Sequence, residues 1–169
     1  DTASYADAAA GVTVDLSTQG DASADTSGGD GADVLTGIEN VTGSAFGDDI
    51  TGDANANVLD GGAGDDVIDG GLGNDDIIGG AGDDTLTGGA GSDTFEFALA
   101  DVGTEAVPAT DTVTDFADGA GGDILDISDV LPDEANDANL GQYLTVDQSP
   151  TETVVEVSPD GDEEEELDI

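Results

Sequence analysis

The feature that most restricts this chain is a nine-residue rhythm. Residues 61–69 read GGAGDDVID, 70–78 GGLGNDDII, 79–87 GGAGDDTLT and 88–96 GGAGSDTFE. Each has the form G-G-x-G-x-D-x-U-x, where U is a large apolar residue. Two looser copies precede them in register, GSAFGDDIT (43–51) and GDANANVLD (52–60). The apolar place falls on Ile50, Leu59, Ile68, Ile77, Leu86 and Phe95, and the sixth place on Asp48, Asn57, Asp66, Asp75, Asp84 and Asp93. A separate copy, GGDGADVLT (28–36), has Asp33 in its sixth place and is set off by GIENVT (37–42). A unit this short cannot bury its apolar residue alone. Stacked units can, so a fixed short period predicts a solenoid.

The unit has its own local logic. Its x-U-x segment is long enough only for a very short strand, with U on one face and its neighbours on the other. The other six residues must reverse the chain, and glycines at the first, second and fourth places allow positive φ and inward carbonyls. Two units make one coil with turns on opposite edges, so each unit stacks on the next but one, about 4.8 Å away. The predicted stacks pair 43–51 with 61–69, 52–60 with 70–78, 61–69 with 79–87, and 70–78 with 88–96. One edge then carries Asp48, Asp66 and Asp84, and the other Asn57, Asp75 and Asp93. A cation between stacked turns would collect carboxylate and carbonyl oxygens from both, the donor set that calcium takes.

Composition narrows the chemistry further. The chain of 169 residues has 42 acidic side chains, no Lys, Arg or His and no Cys, for a formal net charge of −42. Imidazole and thiolate chemistry, Schiff bases and disulfides are all excluded. Nothing can neutralise phosphates, so nucleic acid is not an expected partner, and an anionic membrane would repel the chain. No apolar stretch is long enough for direct membrane insertion. With no initiator Met and no basic, apolar leader, the sequence reads as a mature region or a fragment. So many unpaired carboxylates require screening or bound cations. An acidic disordered segment and a merely solubilising surface are the bland alternatives, and neither explains a nine-residue phase.

The tandem pattern resembles the hemolysin-type calcium-binding repeat, the RTX family of secreted bacterial proteins. The resemblance implies an all-β fold, a right-handed parallel β-roll or β-helix solenoid with a C-terminal β-rich cap. It implies several Ca2+ ions held by the sixth-place acids Asp48, Asp66, Asp75, Asp84 and Asp93, with Asp33 in the detached copy. Carbonyls would come from the turns Gly61, Gly62, Ala63 and Gly64, then Gly70, Gly71, Leu72 and Gly73, then Gly79, Gly80, Ala81 and Gly82, and Gly88, Gly89 and Gly91. Asn57, Asp53, Asn55 and Phe46 depart from the motif and weaken the turns that hold them. The fifth-place residues Asp65, Asn74 and Asp83 read as solvent-facing.

The flanks are less regular. Val12, Val14 and Leu16 alternate as a half-buried strand does. Residues 1–51 read as an irregular extension of the roll, in which Ile38 and Val41 could insert a widened turn. Residues 52–96 form the calcium-binding roll, and 97–169 a capping and secretion-signal-like region with an acidic tail. Within it, 97–110 reads as a connector, with Pro108 opposing regular structure. DTVTDFADGAGGDILDISDVL (111–131) resembles the cap that closes such rolls, and some of Asp111, Asp115, Asp123, Asp126 and Asp129 could hold one more calcium. Two further strands are expected in 140–146 and 153–158.

The expected function is non-enzymatic: a calcium-binding structural module of a secreted or cell-surface protein of adhesin, surface-layer or filament type. Calcium bridging or end-to-end stacking could build a homo-oligomer or filament. The alternative is the C-terminal calcium-binding secretion domain of an extracellular protease or lipase. A two-carboxylate glycosidase is disfavoured by the dearth of aromatics for sugar stacking, and an ice-binding face by the lack of regular Thr and Asn ranks.

Overall fold

The computed structural model describes residues 1–19, 26–28, 31–98, 103–104, 107–129, 144–148 and 153–157, and the structural statements below concern these. Two compact units are present, Asp1–Asp126 and Ile127–Ile169.

The first unit is a solenoid. Its strands are β1 (Thr2–Ser4), β2 (Val12–Asp15), β3 (Thr26–Gly28), β4 (Asn40–Thr42), β5 (Asp49–Thr51), β6 (Val58–Ala63), β7 (Val67–Asp69), β8 (Asp76–Ala81), β9 (Thr85–Thr87), β10 (Thr94–Glu96), β11 (Gly103–Thr104), β12 (Val107–Pro108), β13 (Thr112–Val113) and β14 (Ile124–Asp126). One sheet runs β1-β4-β6-β8-β10-β14 and the other β3-β2-β5-β7-β9-β13. Both are parallel apart from the β2–β3 pair. Ile50 stands opposite Ile68 and Ile68 opposite Leu86; on the other sheet Leu59 faces Ile77 and Ile77 faces Phe95. This is the next-but-one stacking that the period predicts, and the chain forms an all-β parallel roll.

Each three-residue strand of the repeats turns one side chain inward. Val14, Ile50, Ile68 and Leu86 form one buried column, and Val41, Leu59, Ile77 and Phe95 the other. Full burial of such a side chain is worth about 1.5–3 kcal/mol. The flanking places face outward: Val58 and Val67 are exposed, as are Thr85 and Asp76.

The ladder runs past both ends of 52–96. On the N-terminal side Val14 pairs with Ile50 and Val41 with Leu59. Tyr5, Ala8, Val12 and Leu16 join the buried cluster. On the C-terminal side Val113 pairs with Leu86 and Leu125 with Phe95.

Three expectations are corrected. The copy at 28–36 adds no rung. Its residues Val34–Thr36 form no strand, Val34 is exposed, and among its described residues only Gly28 pairs, at the end of antiparallel β3. The reason is phase: Leu35 lies fifteen residues before Ile50, whereas Val41 lies nine before it. GIENVT therefore supplies a rung rather than a widened turn, and 28–36 falls in the lengthened connection between β2 and β4. Gln19 pins that connection, its amide donating to Ile38 O (2.8 Å) and accepting from Ile38 N (2.9 Å). Lastly, Pro108 does not exclude regular structure, because it ends the two-residue strand β12, which pairs antiparallel with β11.

The second unit contains β15 (Leu144–Gln148) and β16 (Thr153–Val157), an antiparallel pair. Residues 140–143, 158 and the acidic tail lie outside the described residues. Among the described residues no helix is long and apolar enough to cross a membrane.

Candidate metal sites in the stacked turns

The sixth-place side chains lie inside the turns, although their chemistry would favour water. Asp66, Asp75, Asp84 and Asp93 are each 1% exposed. Each uses Oδ1 to accept the main-chain N–H of a sixth-place residue one coil earlier. Asp48 N donates to Asp66 Oδ1 (2.7 Å) and Asp66 N to Asp84 Oδ1 (2.8 Å) on one edge. Asn57 N donates to Asp75 Oδ1 (2.8 Å) and Asp75 N to Asp93 Oδ1 (2.9 Å) on the other. The carboxylates thus satisfy buried N–H groups that the turn leaves without a strand partner.

The second oxygen is different. Oδ2 of Asp66, Asp75 and Asp93 is buried and accepts no hydrogen bond. A Cβ placed on Gly70 would stand 2.6 Å from Asp75 Oδ2 and 2.7 Å from Gly88 O, so both oxygens border one small space between stacked turns. Asp66 Oδ2 and Gly79 O border the space at Gly61 in the same way. Acceptors that face each other with no donor between them need a proton or a cation. Burial, chiefly, pushes the Asp66 carboxyl up to about 7; the N–H of Asp48 opposes this, and the negative Asp84, Asp48 and Asp60 add to it. Burial likewise pushes Asp75 up to about 6, opposed by the N–H of Asn57 and reinforced by Asp93, Asp53 and Asp76. Asp93 is raised for the same leading reason.

The glycines serve two purposes. Those at the second and fourth places have positive φ, Gly91 excepted, as at Gly80 (95°) and Gly82 (148°), where other residues are strained. First-place glycines along 43–96 do not, so the expectation of positive φ fails there, although Gly28 in the detached copy has it. They are required by space, since a side chain would fill the cradle beside Asp Oδ2. Gly70→Ala is expected to weaken calcium binding at least tenfold while β structure is retained at saturating calcium. Isothermal calorimetry beside circular dichroism checks this, and unchanged affinity would contradict the cradle.

The structure sorts the expected ligands. Asp66, Asp75, Asp84 and Asp93, with the carbonyls of Gly79 and Gly88, suit a hard cation. The third-place carbonyl of Ala81 accepts from Gly64 N (2.7 Å), and Gly71 O accepts from Ala90 N (2.9 Å). Ala63 and Gly62 continue β6 beside Ala81 and Gly80 of β8. Leu72 is exposed and bridges to Ala90, while a Cβ on Gly73, Gly89 or Gly91 would meet backbone of the preceding coil.

Two acids fall outside this set. Asp48 is already saturated with donors: Oδ1 accepts from Val12 N (2.7 Å) and Ser44 Oγ (2.8 Å), and Oδ2 from Ser44 N (2.5 Å). Ser44, standing where a glycine belongs, supplies the donors that the later turns lack. Asp33 is exposed and away from the ladder. Asn57 resembles Asp48, with Oδ1 accepting from Asp53 N (2.8 Å) and Nδ2 donating to Glu39 O (2.7 Å).

Sequence reasoning missed a second ladder. The fifth-place residues are exposed, yet Asp65 Oδ1 accepts from Asp83 N (3.2 Å), Asn74 Oδ1 from Ser92 N (3.1 Å) and Asp83 Oδ1 from Thr110 N (2.9 Å). Short polar side chains recurring at that place were the available signal.

Among the described residues no three carboxylates converge on one point. Each cradle instead combines a buried carboxylate with main-chain carbonyls, an all-oxygen set of the kind calcium accepts. Fold and turns together define a calcium-binding β-roll. The family pattern of the RTX calcium-binding nonapeptide repeat, in four copies, matches residues 42–77 and 69–98, so that stretch carries hemolysin-type RTX repeats. No curated protein matches the chain.

Proposed function

We propose that this chain is a non-enzymatic module that calcium folds and stiffens outside the cell, as part of a secreted or surface-attached structural protein. The observation that carries this reading is the recurrence, along both edges, of buried carboxylate oxygens without a donor, as at Asp66, Asp75 and Asp93. At low calcium these acids oppose folding, together with the rest of a −42 charge that has no cationic side chain against it. Ordering glycine-rich turns adds an entropic cost. At the calcium levels of extracellular fluids, sites with Kd of about 10⁻⁴–10⁻³ M fill, and their binding energy becomes folding energy. The absence of His, Cys and Lys, with interior space filled by apolar columns, favours a structural role over catalysis.

The test is a calcium titration of the chain at constant ionic strength, followed by circular dichroism, with magnesium in parallel. A disordered spectrum in chelator should become a β spectrum with calcium, and magnesium should be far less effective. A β spectrum in chelator that calcium leaves unchanged would defeat the reading.

A further inference from the structure

The six turns between residues 43 and 93 share one cradle but do not offer it the same groups. At each first-place glycine, from Gly43 to Gly88, an added Cβ would meet the sixth-place side-chain oxygen of the same turn. At Gly43, Gly52, Gly61 and Gly70 it would also meet a glycine carbonyl of the coil that follows. The ladder bond is shared as well. Asp48 Oδ1 accepts from Val12 N (2.7 Å) on the earlier coil, just as Asp75 Oδ1 accepts from Asn57 N (2.8 Å). The turns differ at the peptide that follows the first-place glycine.

In the four later turns the second place is a glycine with positive φ: Gly62 (99°), Gly71 (94°), Gly80 (95°) and Gly89 (91°). Gly71 N donates to Asp69 Oδ1 (3.1 Å) and Gly89 N to Asp115 Oδ2 (2.8 Å), neither to the sixth-place acid of its own turn. Asp75 and Asp93 keep an Oδ2 without a donor. In the two earlier turns the second place carries a side chain, Ser44 or Asp53, and φ is not positive. That is the conformation a Cβ imposes on an L-residue. There the same N–H turns into the cradle. Ser44 N donates to Asp48 Oδ2 (2.5 Å), and Asp53 N to Asn57 Oδ1 (2.8 Å). The acceptor that a cation would meet already has its donor.

We propose that the second-place residue decides whether a turn of this roll takes a cation. Glycine at positive φ directs its N–H away and leaves the carboxylate oxygen to calcium. A side chain at that place turns the N–H inward, and the N–H stands where the ion would. Ser44 and Asp53 are therefore positioning residues that make the turns 43–48 and 52–57 metal-free, so that calcium occupancy begins at residue 61. The sixth-place residues fit this division. Asn57 is uncharged, so its turn buries no charge that lacks a counter-ion. Asp48 is charged but meets three donors, Val12 N, Ser44 Oγ and Ser44 N, and such bonds favour the ionised form. The proposal rests on the repeat turns binding calcium, which wild-type titration tests separately.

The experiment is calcium calorimetry on the full chain and on its variants S44G, S44A and G71S, with circular dichroism in saturating calcium. S44G frees φ at residue 44, and Asp48 Oδ2 and Gly61 O already border that cradle. It should bind one equivalent more than wild type. S44A loses the hydroxyl but keeps a Cβ, so its calcium count should match wild type. This control separates the backbone effect from the loss of Ser44 Oγ. G71S puts a side chain where glycine has positive φ. It should keep the β spectrum and bind one equivalent fewer. If S44G or G71S fails to fold, the other decides, with S44A as its control. A wild-type count in the folded glycine-exchange variants, or an extra equivalent in S44A, would overturn the rule while leaving the repeat sites intact. A wild-type chain that binds no calcium would overturn both.

Discussion

Replacing Ile77 by alanine should lower stability in saturating calcium by about 2–5 kcal/mol, the range for truncating a fully buried aliphatic side chain. Ile77 is 0% exposed and lies between Leu59 and Phe95 in its column. Its strand sends no other side chain inward, since the other buried positions of β8 are glycines, so no second residue of the strand can fill the hole. The strand cannot close it by sliding either, because the turns before and after it are fixed by the carboxylate ladders of the two edges, through Asp75 and Asp84. Val67→Ala, on the outer face where the residue is 50% exposed, should cost less than about 1 kcal/mol. Urea unfolding of both variants at fixed calcium measures the contrast. Equal losses would mean that the inward columns do not carry the fold.

The second large effect is on pH. Asp66 is raised to about 7 and Asp75 to about 6, from an ordinary value of 3.8. The metal-free folded state therefore binds protons more tightly than the unfolded state. By linkage its stability is greatest at acid pH, near and below 4, and falls as pH rises through 6 to 7. Metal-free chain should accordingly show more β structure at pH 5 than at pH 8. Calcium reverses the preference, because it competes with the same protons. Its affinity for the sites of Asp66 and Asp75 should fall roughly ten- to hundredfold between pH 8 and pH 5, with proton release on binding. Calorimetry in two buffers of different ionisation enthalpy measures that release. Affinity independent of pH over this interval would show that these carboxylates are not the ligands.

The two predictions probe different parts of one unit. The apolar column supplies cohesion that calcium does not touch, and the turns hold charge that cohesion alone leaves uncompensated. This division explains how glycine-rich turns and buried acids coexist in one nonapeptide. It also explains the N-terminal rungs. Ser44 completes the hydrogen bonding of Asp48, and Asn57 provides its own donor, so these turns meet their needs within the protein.

From Ile50 to Phe95 the register was legible in the sequence, because one period sets both the inward residue and the inward acid. Strand partners follow from arithmetic when every connection has the same length. Outside that stretch arithmetic failed. The copy at 28–36 has the right composition, yet Leu35 is out of phase with Ile50, and a rung can be occupied only once. Val41 occupies it, from a segment with no glycine pattern. Asp111 and Asp123 likewise complete the two edges, accepting from Asp84 N and Asp93 N, after connections whose lengths follow no period.

The sequence alone determined the repeating unit, its inward column and the oxygen-only chemistry, since these depend on residue type and spacing within nine residues. Only the tertiary structure decided which acids keep an oxygen without a donor. That depends on what the neighbouring coil presents: the Val12 N–H to Asp48, a glycine carbonyl beside Asp75, and an irregular loop above Asp93. Those neighbours come from different distances along the chain, so no local pattern records them.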